Sequence, residues 1–121
     1  MDVAPILTRV TLATTDTPAM AAFYDAVFAA GLVPTTAFGT TLYNGTLGGV
    51  GLVLCPSEVA GGRAERSRHQ LCFAVADLGD AIRRTTAAGG TVLHPPRDDN
   101  GTRRAVVRDP DGSTIELEQS P

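Results

Sequence analysis

The sequence predicts an α+β fold in which a βαβββ unit occurs twice in tandem. Each half of the chain has a strand-like segment, then a helix-like segment, then further strand-like segments. Asp16 and Asp77, the residues predicted to cap the two helices, lie about 60 positions apart, which indicates an internal repeat. We therefore expect a single domain composed of module one at about residues 5–56, a connector at about 57–68 and module two at about 69–120.

Module one opens with a strand predicted over residues 6–13, where apolar Val10 and Leu12 alternate with Arg9 and Thr11. A period of two places the two sets on opposite faces of a sheet. We expect Val10 and Leu12 to face the core, and Arg9 and Thr11 to face away from it.

A helix is predicted to begin at Asp16, because Asp is a favoured N-cap residue and Pro18 suits the first helical turn. Gly31 stands where a C-terminal cap is expected. Between them, apolar residues recur at the spacing of a helix with one buried face: Met20, Phe23, Tyr24, Val27 and Phe28.

The Asn44-Gly45 pair favours a two-residue type I′ turn, because both central residues of that turn need positive φ. We expect this turn to join two strands of module one. The following strand, at residues 50–55, alternates again and closes the module. Its Leu52 corresponds to Ile115 in the closing strand of module two.

Module two opens with a strand predicted over residues 70–76. Alternate positions of this strand form an apolar face and a second face that holds Gln70 and Cys72. Asp77 is a good N-cap residue for the helix that follows, which we expect to end before Gly89.

Three short strands complete module two in the prediction, at about residues 91–94, 104–108 and 113–118. The last of them follows a turn from Asp109 to Gly112, where Asp, Pro and Gly are the residues that tight turns favour.

Composition excludes several classes of function. The chain has 10 basic and 13 acidic residues, a net charge of −3, so a nucleic-acid surface is not expected. All basic residues are Arg, which excludes lysine Schiff-base chemistry. No apolar run approaches the roughly 20 residues that span a membrane, and the N-terminus does not resemble a signal peptide. With 2 cysteines, neither a disulfide framework nor a thiolate zinc cluster is expected. We expect a cytoplasmic protein.

The run from Asp109 to Leu117 resembles the closing motif of the vicinal oxygen chelate superfamily. This superfamily contains glyoxalase I, extradiol dioxygenases, fosfomycin-resistance proteins and bleomycin-resistance proteins. Phe23-Tyr24, residues 70–78 and residues 88–90 match its other landmarks. The resemblance implies two βαβββ modules whose curled mixed sheets enclose a cavity, and it implies a homodimer.

The resemblance also implies a position for a divalent metal, held by one residue from the first and the last strand of each module. Carried over by motif, these residues are Arg9, Val53, Gln70 and Glu116. Glu116 suits a metal and Gln70 is a weak ligand, but Val53 has no donor atom and the guanidinium of Arg9 stays protonated. We therefore expect no metal and no other cofactor.

Alternation also predicts which side chains face the cavity: Leu7, Arg9, Thr11, Val53, Cys55, Gln70, Cys72, Thr114 and Glu116. Glu116 is a candidate metal ligand, general base or half of an ion pair. Arg9 is its expected partner, since a lone buried carboxylate is costly. Alternatively, Arg9 binds a carboxylate or phosphate of a substrate.

Two further residues are candidates for the site. His94 precedes two prolines near the expected mouth of the cavity, where it acts as an acid or a base or makes a local hydrogen bond. Tyr43 is expected at the rim of the pocket. The ligand-binding set is therefore predicted as Arg9, Thr11, Tyr43, Val53, Gln70, Cys72 and Glu116.

We expect a metal-independent protein that binds a small organic molecule in the cavity, as a resistance or sequestration protein does. The alternative from another class is a lyase or isomerase with Glu116 as general base and His94 as acid. A third possibility is a metal-dependent glyoxalase or dioxygenase with altered ligands. The sequence does not distinguish among them.

Overall fold

The computed structural model describes residue 4, residues 6–60 and residues 69–121, and it confirms two βαβββ modules. The part of the predicted connector at residues 61–68 lies outside the described residues. The elements of module one are β1 (Arg9–Thr14), α1 (Thr17–Phe28), β2 (Val33–Ala37), β3 (Thr40–Leu47) and β4 (Val50–Pro56), followed by the short α2 (Ser57–Ala60). The elements of module two are β5 (Leu71–Ala74), α3 (Leu78–Ala87), β6 (Thr91–Asp99), β7 (Thr102–Arg108) and β8 (Thr114–Gln119).

Each module contributes one four-stranded mixed sheet of the same topology. The N-terminal sheet has the order β1-β4-β3-β2, and the C-terminal sheet has the order β5-β8-β7-β6. In both sheets the first strand runs parallel to the last strand, and the other neighbours are antiparallel. Strands β1 and β5 therefore lie at sheet edges.

Helix α1 begins as predicted, because the Asp16 carboxylate accepts a hydrogen bond from the Ala19 N–H at 3.2 Å. The helix ends at Ala29, which adopts the left-handed conformation with φ 52°. The predicted C-cap residue Gly31 lies two positions further on, also with positive φ. Helix α3 is capped in the same way as α1, by Asp77.

The predicted turn at Asn44-Gly45 is wrong. Both residues lie within β3, where Gly45 pairs with Leu52. The hairpin between β2 and β3 turns instead at Phe38 and Gly39, whose φ values are 53° and 72°. Glycine is needed at position 45 for a different reason: a Cβ there would overlap the carbonyl oxygen of Ala30.

Strand β6 is longer than predicted and continues through Pro95 and Pro96 to Asp99. Its pairing with β7 shifts register on both sides of His94. Because β6 is an edge strand, it tolerates proline, which has no N–H to donate to a neighbouring strand.

Both modules share one hydrophobic core. Helix α1 packs on α3, and the ring of Phe28 stacks on that of Phe73 with 3.9 Å between their centroids. The buried apolar residues come from both sheets and both long helices: Met20, Ala21, Phe23, Tyr24, Ala30, Leu52, Leu54, Leu78, Ala81, Ala105, Val107, Ile115 and Leu117.

Each sheet therefore has a covered face, turned toward this shared core, and an open face, turned away from it. The open face of the N-terminal sheet holds Arg9, Thr11, Asn44 and Val53. The open face of the C-terminal sheet holds Cys72, His94, Arg104, Val106, Glu116 and Glu118. Because the core lies between the covered faces, the two open faces of one chain are turned away from each other, and the two sheets are not closed.

Helices α1, α2 and α3 are too short to cross a bilayer. Within the part of the chain that the structure describes, no helix is both long and apolar enough to span a membrane.

Candidate functional site

A row of four residues crosses the open face of the C-terminal sheet, one from each strand. Cys72 of β5 pairs with Glu116 of β8, Glu116 pairs with Val106 of β7, and Val106 pairs with His94 of β6. The structure thus brings together three of the residues predicted for the site. Neighbouring strands lie roughly 4.8 Å apart, so the backbones of His94 and Glu116 are separated by about 10 Å across this face.

Arg104 lies beside this row and connects three carboxylates. Its Nη1 donates to Glu116 Oε1 at 3.1 Å and to Glu118 Oε2 at 2.5 Å, and its Nε donates to Asp99 Oδ2 at 3.0 Å. Hydrogen bonds between charged groups are shorter and stronger than those between neutral groups. Arg104 is therefore firmly oriented on the open face.

Sequence reasoning missed Arg104 and Glu118. Strand alternation could have found them, because residues two positions apart in a strand share a face. Arg104 is two positions before Val106, and Glu118 is two positions after Glu116. The pairing of β7 with β8, which places Arg104 opposite Glu118, is a long-range feature.

The structure places Arg9 away from Glu116, so the predicted salt bridge between them is wrong for a single chain. Arg9 is exposed on the open face of the N-terminal sheet, and among the described residues it has no carboxylate partner. Glu116 pairs with Arg104 instead. The physical reason is that the shared core separates the two open faces.

The other predicted residues occupy different environments. Thr11 pairs with Val53 on the open face of the N-terminal sheet. Gln70 donates its Nε2 to Thr114 Oγ1 at 3.1 Å, next to the open face of the C-terminal sheet. Tyr43 pairs with Leu54 and packs against the core, so the structure does not bring it to either open face.

Cys72 is exposed, and its Sγ donates weakly to Glu116 Oε1 at 3.7 Å. Partial desolvation, together with the negative charges of Glu118 and Glu116, raises the pKa of the Cys72 thiol, and the charge of Arg104 opposes this rise. A raised pKa favours the neutral thiol, which is neither a nucleophile nor a metal ligand.

We expect Cys72 to react slowly with iodoacetamide near neutral pH, because only the thiolate attacks and its fraction falls as the pKa rises. The rate in a Cys55→Ser variant should reach half its maximum at a higher pH than for free cysteine. Replacing Glu118 with Gln should shift that midpoint toward lower pH. A midpoint at or below that of free cysteine would contradict the interpretation.

A groove of about 670 Å³ separates the edge strands β1 and β5. Most of its walls are apolar side chains, among them Leu7, Val10, Phe28, Leu47 and Phe73. Cys72 lines both this groove and the open face of the C-terminal sheet.

A buried polar cluster joins the two modules. Tyr24 Oη donates to Asp109 Oδ2 at 3.0 Å, and Asp109 Oδ1 accepts hydrogen bonds from the backbone N–H groups of Asp111 and Ser113 at 3.0 Å each. Burial raises the pKa of Asp109, and burial next to this carboxylate raises the pKa of Tyr24. Thr15 N also donates to the Asp111 carboxylate at 3.0 Å. This cluster links module one to the turn before β8, and we expect it to stabilise the fold.

The family model of the glyoxalase/bleomycin resistance protein/dioxygenase superfamily matches residues 6–117. The chain belongs to this superfamily. Comparison with curated proteins gives no match.

Solved structures of other proteins share the fold of this superfamily member. A glyoxalase-related enzyme from Fulvimarina pelagi is 25% identical, with a TM-score of 0.75 over 98% of this chain and 90% of that chain. TioX from Micromonospora sp. ML1 is also 25% identical, with a TM-score of 0.72 over 97% of this chain and 100% of that chain. TnmS3, an antibiotic binding protein from Streptomyces sp. CB03234, is 18% identical, with a TM-score of 0.76 over 100% of both chains.

The residues at the four positions that the superfamily resemblance assigns to a metal do not fit a divalent ion. Arg9 and Val53 lie on one open face, and Glu116 lies on the other, with Gln70 beside it. Arg9 is a cation, Val53 has no donor atom, and Glu116 already accepts hydrogen bonds from Arg104 and Cys72.

Proposed function

We propose that this superfamily member is a homodimer that binds a small organic molecule without a metal, as a resistance or sequestration protein. The ligand would lie on the open face of the C-terminal sheet, between His94 and Glu116 and above Val106. The observation that carries this proposal is the row of residues that crosses that face, which one chain leaves uncovered. Arg104 lies beside the row and is bound to Glu116.

A second copy is the occupant that we propose for the uncovered surfaces. Strands β1 and β5 have one unpaired edge each, and unpaired edges readily bind another strand. Leu7, with 65% of its surface exposed, lines the groove between these strands. Val33, 61% exposed, pairs with Asn44 on the open face of the N-terminal sheet. Their burial against another copy would contribute favourably to association.

Charge complementarity supports an arrangement in which the N-terminal sheet of one copy covers the C-terminal sheet of the other. The cluster on the C-terminal sheet has three carboxylates around one guanidinium, and it is therefore negative. Arg9 supplies a positive charge on the open face that would cover it. In this dimer, Arg9, Thr11 and Val53 would form the opposite wall of the ligand site.

TnmS3, which has the same fold, is an antibiotic binding protein, and this likeness supports small-molecule binding. The chain has no Trp and only 5% aromatic residues, which provides little surface for stacking a large planar ligand. We therefore propose a small ligand with polar groups that reach Arg104, His94 and Glu116. The cytoplasm is the proposed location.

Acid–base catalysis of an isomerase or lyase type is the second candidate, and the shared row of His94 and Glu116 favours it. One oxygen of Glu116 accepts from Arg104 and Cys72, which leaves Oε2 to accept a proton from a ligand. A separation of about 10 Å between the two backbones leaves room for a ligand of several atoms between the side chains.

Native mass spectrometry of the protein purified from cell extract tests the proposal. We expect a species of twice the 12.5 kDa chain mass that carries an organic adduct. A Val106→Arg variant should lose the adduct because the new side chain fills the face, whereas Glu58→Gln, on α2, should keep it. A monomer at micromolar concentration would overturn the dimer. A transition metal bound at one equivalent per chain would overturn the metal-independent site.

The same adduct distinguishes binding from catalysis. Incubating the identified compound with the protein should return it unchanged if the protein only binds. If the protein catalyses a reaction, a new product should appear, and Glu116→Gln should abolish turnover while His94→Gln reduces it.

A further inference from the structure

Three potential metal ligands converge on the open face of the C-terminal sheet. One ligand atom from each of Cys72, Glu116 and Glu118 lies within 4.8 Å of the other two. Only Glu116 belongs to the positions that the superfamily resemblance assigns to a metal. Acidic clusters alone are common on protein surfaces without a bound ion.

A cation already lies among these groups, the guanidinium of Arg104. Nη1 of Arg104 is 3.1 Å from Glu116 Oε1 and 2.5 Å from Glu118 Oε2. Asp99 anchors the guanidinium from the side through Nε at 3.0 Å. Both carboxylates of the cluster are therefore already ion-paired with Arg104.

We propose that the guanidinium of Arg104 is the resident cation of this cluster, that it excludes divalent metals from Cys72, Glu116 and Glu118, and that its Nη2 presents the positive charge to an oxygen atom of the ligand. Guanidinium has five N–H donors in a planar fork. Three are directed at carboxylates, and the two on Nη2 have no partner among the described residues. The ligand class that this geometry suits is a molecule with a neutral carbonyl oxygen, because the three carboxylates around Arg104 make the cluster negative.

Occupation of the cluster by a permanent cation explains the exclusion. The three carboxylates attract cations, but Arg104 already neutralises part of their charge. Because its guanidinium stays protonated, an entering divalent ion would meet a weaker negative field and a positive charge a few ångströms away. The guanidinium would also have to leave two carboxylates. In addition, Cys72 would have to lose its proton, because only a thiolate binds a metal.

The inference predicts that removing the guanidinium creates a metal site. In Arg104→Met, a thiolate, two carboxylates and water can surround Co²⁺ or Zn²⁺, ions that accept both sulfur and oxygen ligands. We expect this variant to bind about one Co²⁺ per chain, at least about a hundredfold more tightly than the unaltered protein. A thiolate-to-cobalt charge-transfer band in the near ultraviolet should accompany binding.

Two control variants identify the atoms responsible. Arg103→Met removes a neighbouring arginine that contacts Asp98 at 3.9 Å and leaves the cluster intact, so it should bind Co²⁺ no better than the unaltered protein. The double variant Cys72→Ser with Arg104→Met should lack the charge-transfer band. Arg104→Gln, which also removes the charge, provides a second test in case the methionine variant does not fold by circular dichroism.

Equal Co²⁺ affinity in the unaltered protein and in Arg104→Met would overturn the inference. A folded Arg104→Gln or Arg104→Met variant that binds no Co²⁺ would also overturn it. The titration requires no organic ligand, although the role of Nη2 rests on the proposed function. If the Co²⁺ titration fails while mass spectrometry still shows the organic adduct, the inference about Arg104 is wrong and the proposed function stands. If the adduct is absent while the titration succeeds, the reverse holds.

Discussion

Replacing Asp109 with Ala is expected to reduce the free energy of unfolding by about 3 kcal/mol, since several donors lose their acceptor at once. Asp109 is 3% exposed and accepts hydrogen bonds from the Tyr24 hydroxyl and the N–H groups of Asp111 and Ser113. Each buried donor left without a partner costs about 1–3 kcal/mol. Part of this loss is offset, because the variant no longer has to bury a charged carboxylate. Burial raises the pKa of Asp109 and thus disfavours its ionised form.

Urea denaturation at one fixed protein concentration measures this effect. Tyr24→Phe removes one of the three hydrogen bonds and should cost about 1 kcal/mol. Asp98→Ala is the matched control, because the Asp98 side chain is 82% exposed, and it should change stability by less than about 0.5 kcal/mol. An Asp109→Ala variant as stable as the Asp98→Ala control would show that the cluster does not hold the modules together.

Gly45→Ala should be nearly as damaging, with a loss of about 3 kcal/mol. A Cβ at this position would overlap the carbonyl oxygen of Ala30 and lie 3.0 Å from Leu32 Cδ2. The Ala30 carbonyl cannot easily move away, because it accepts a hydrogen bond from the Thr46 N–H at 2.9 Å. The added methyl group therefore displaces backbone rather than a flexible side chain.

Gly49→Ala provides the comparison within the same hairpin. A Cβ at Gly49 would meet no atom within 4 Å, and this glycine is not among those with positive φ. Its replacement should leave stability within about 1 kcal/mol, since alanine also restricts the unfolded chain. Equal thermal unfolding midpoints for the Gly45 and Gly49 variants would contradict the role that we assign to the Ala30 carbonyl.

The two arginines show why the candidate site was only partly predictable. Alternation correctly placed Arg9 on the face away from the core, and it placed Glu116 on the corresponding face of the other sheet. Which cation meets Glu116 depends on the pairing of β7 with β8, which opposes Arg104 to Glu118. That pairing joins positions 14 residues apart, whereas the predicted partnership of Arg9 would have had to cross the shared core.

The Tyr24–Asp109 contact is a second feature that the sequence did not predict. Both residues belong to landmarks of the superfamily resemblance, yet the resemblance alone does not say that they touch. The structure joins them across 85 positions of sequence. Both residues are buried, so the hydroxyl and the carboxylate each satisfy the other's hydrogen-bonding requirement.

Local chemistry determined the secondary structure of this protein in large part. Side-chain capping by Asp16 and Asp77 acts within one turn, and the alternation of apolar residues acts within one strand, so these elements are readable from the sequence. The turn predicted at Asn44-Gly45 does not form, because the hydrogen bonds that β3 makes to both neighbouring strands outweigh the local preference of this pair for a turn. Tertiary structure alone decided that the two covered faces share one core, since burying both apolar faces together removes more surface from water than burying each separately. That choice turns the open faces outward, separates Arg9 from Glu116 and leaves Arg104 as the cation of the site.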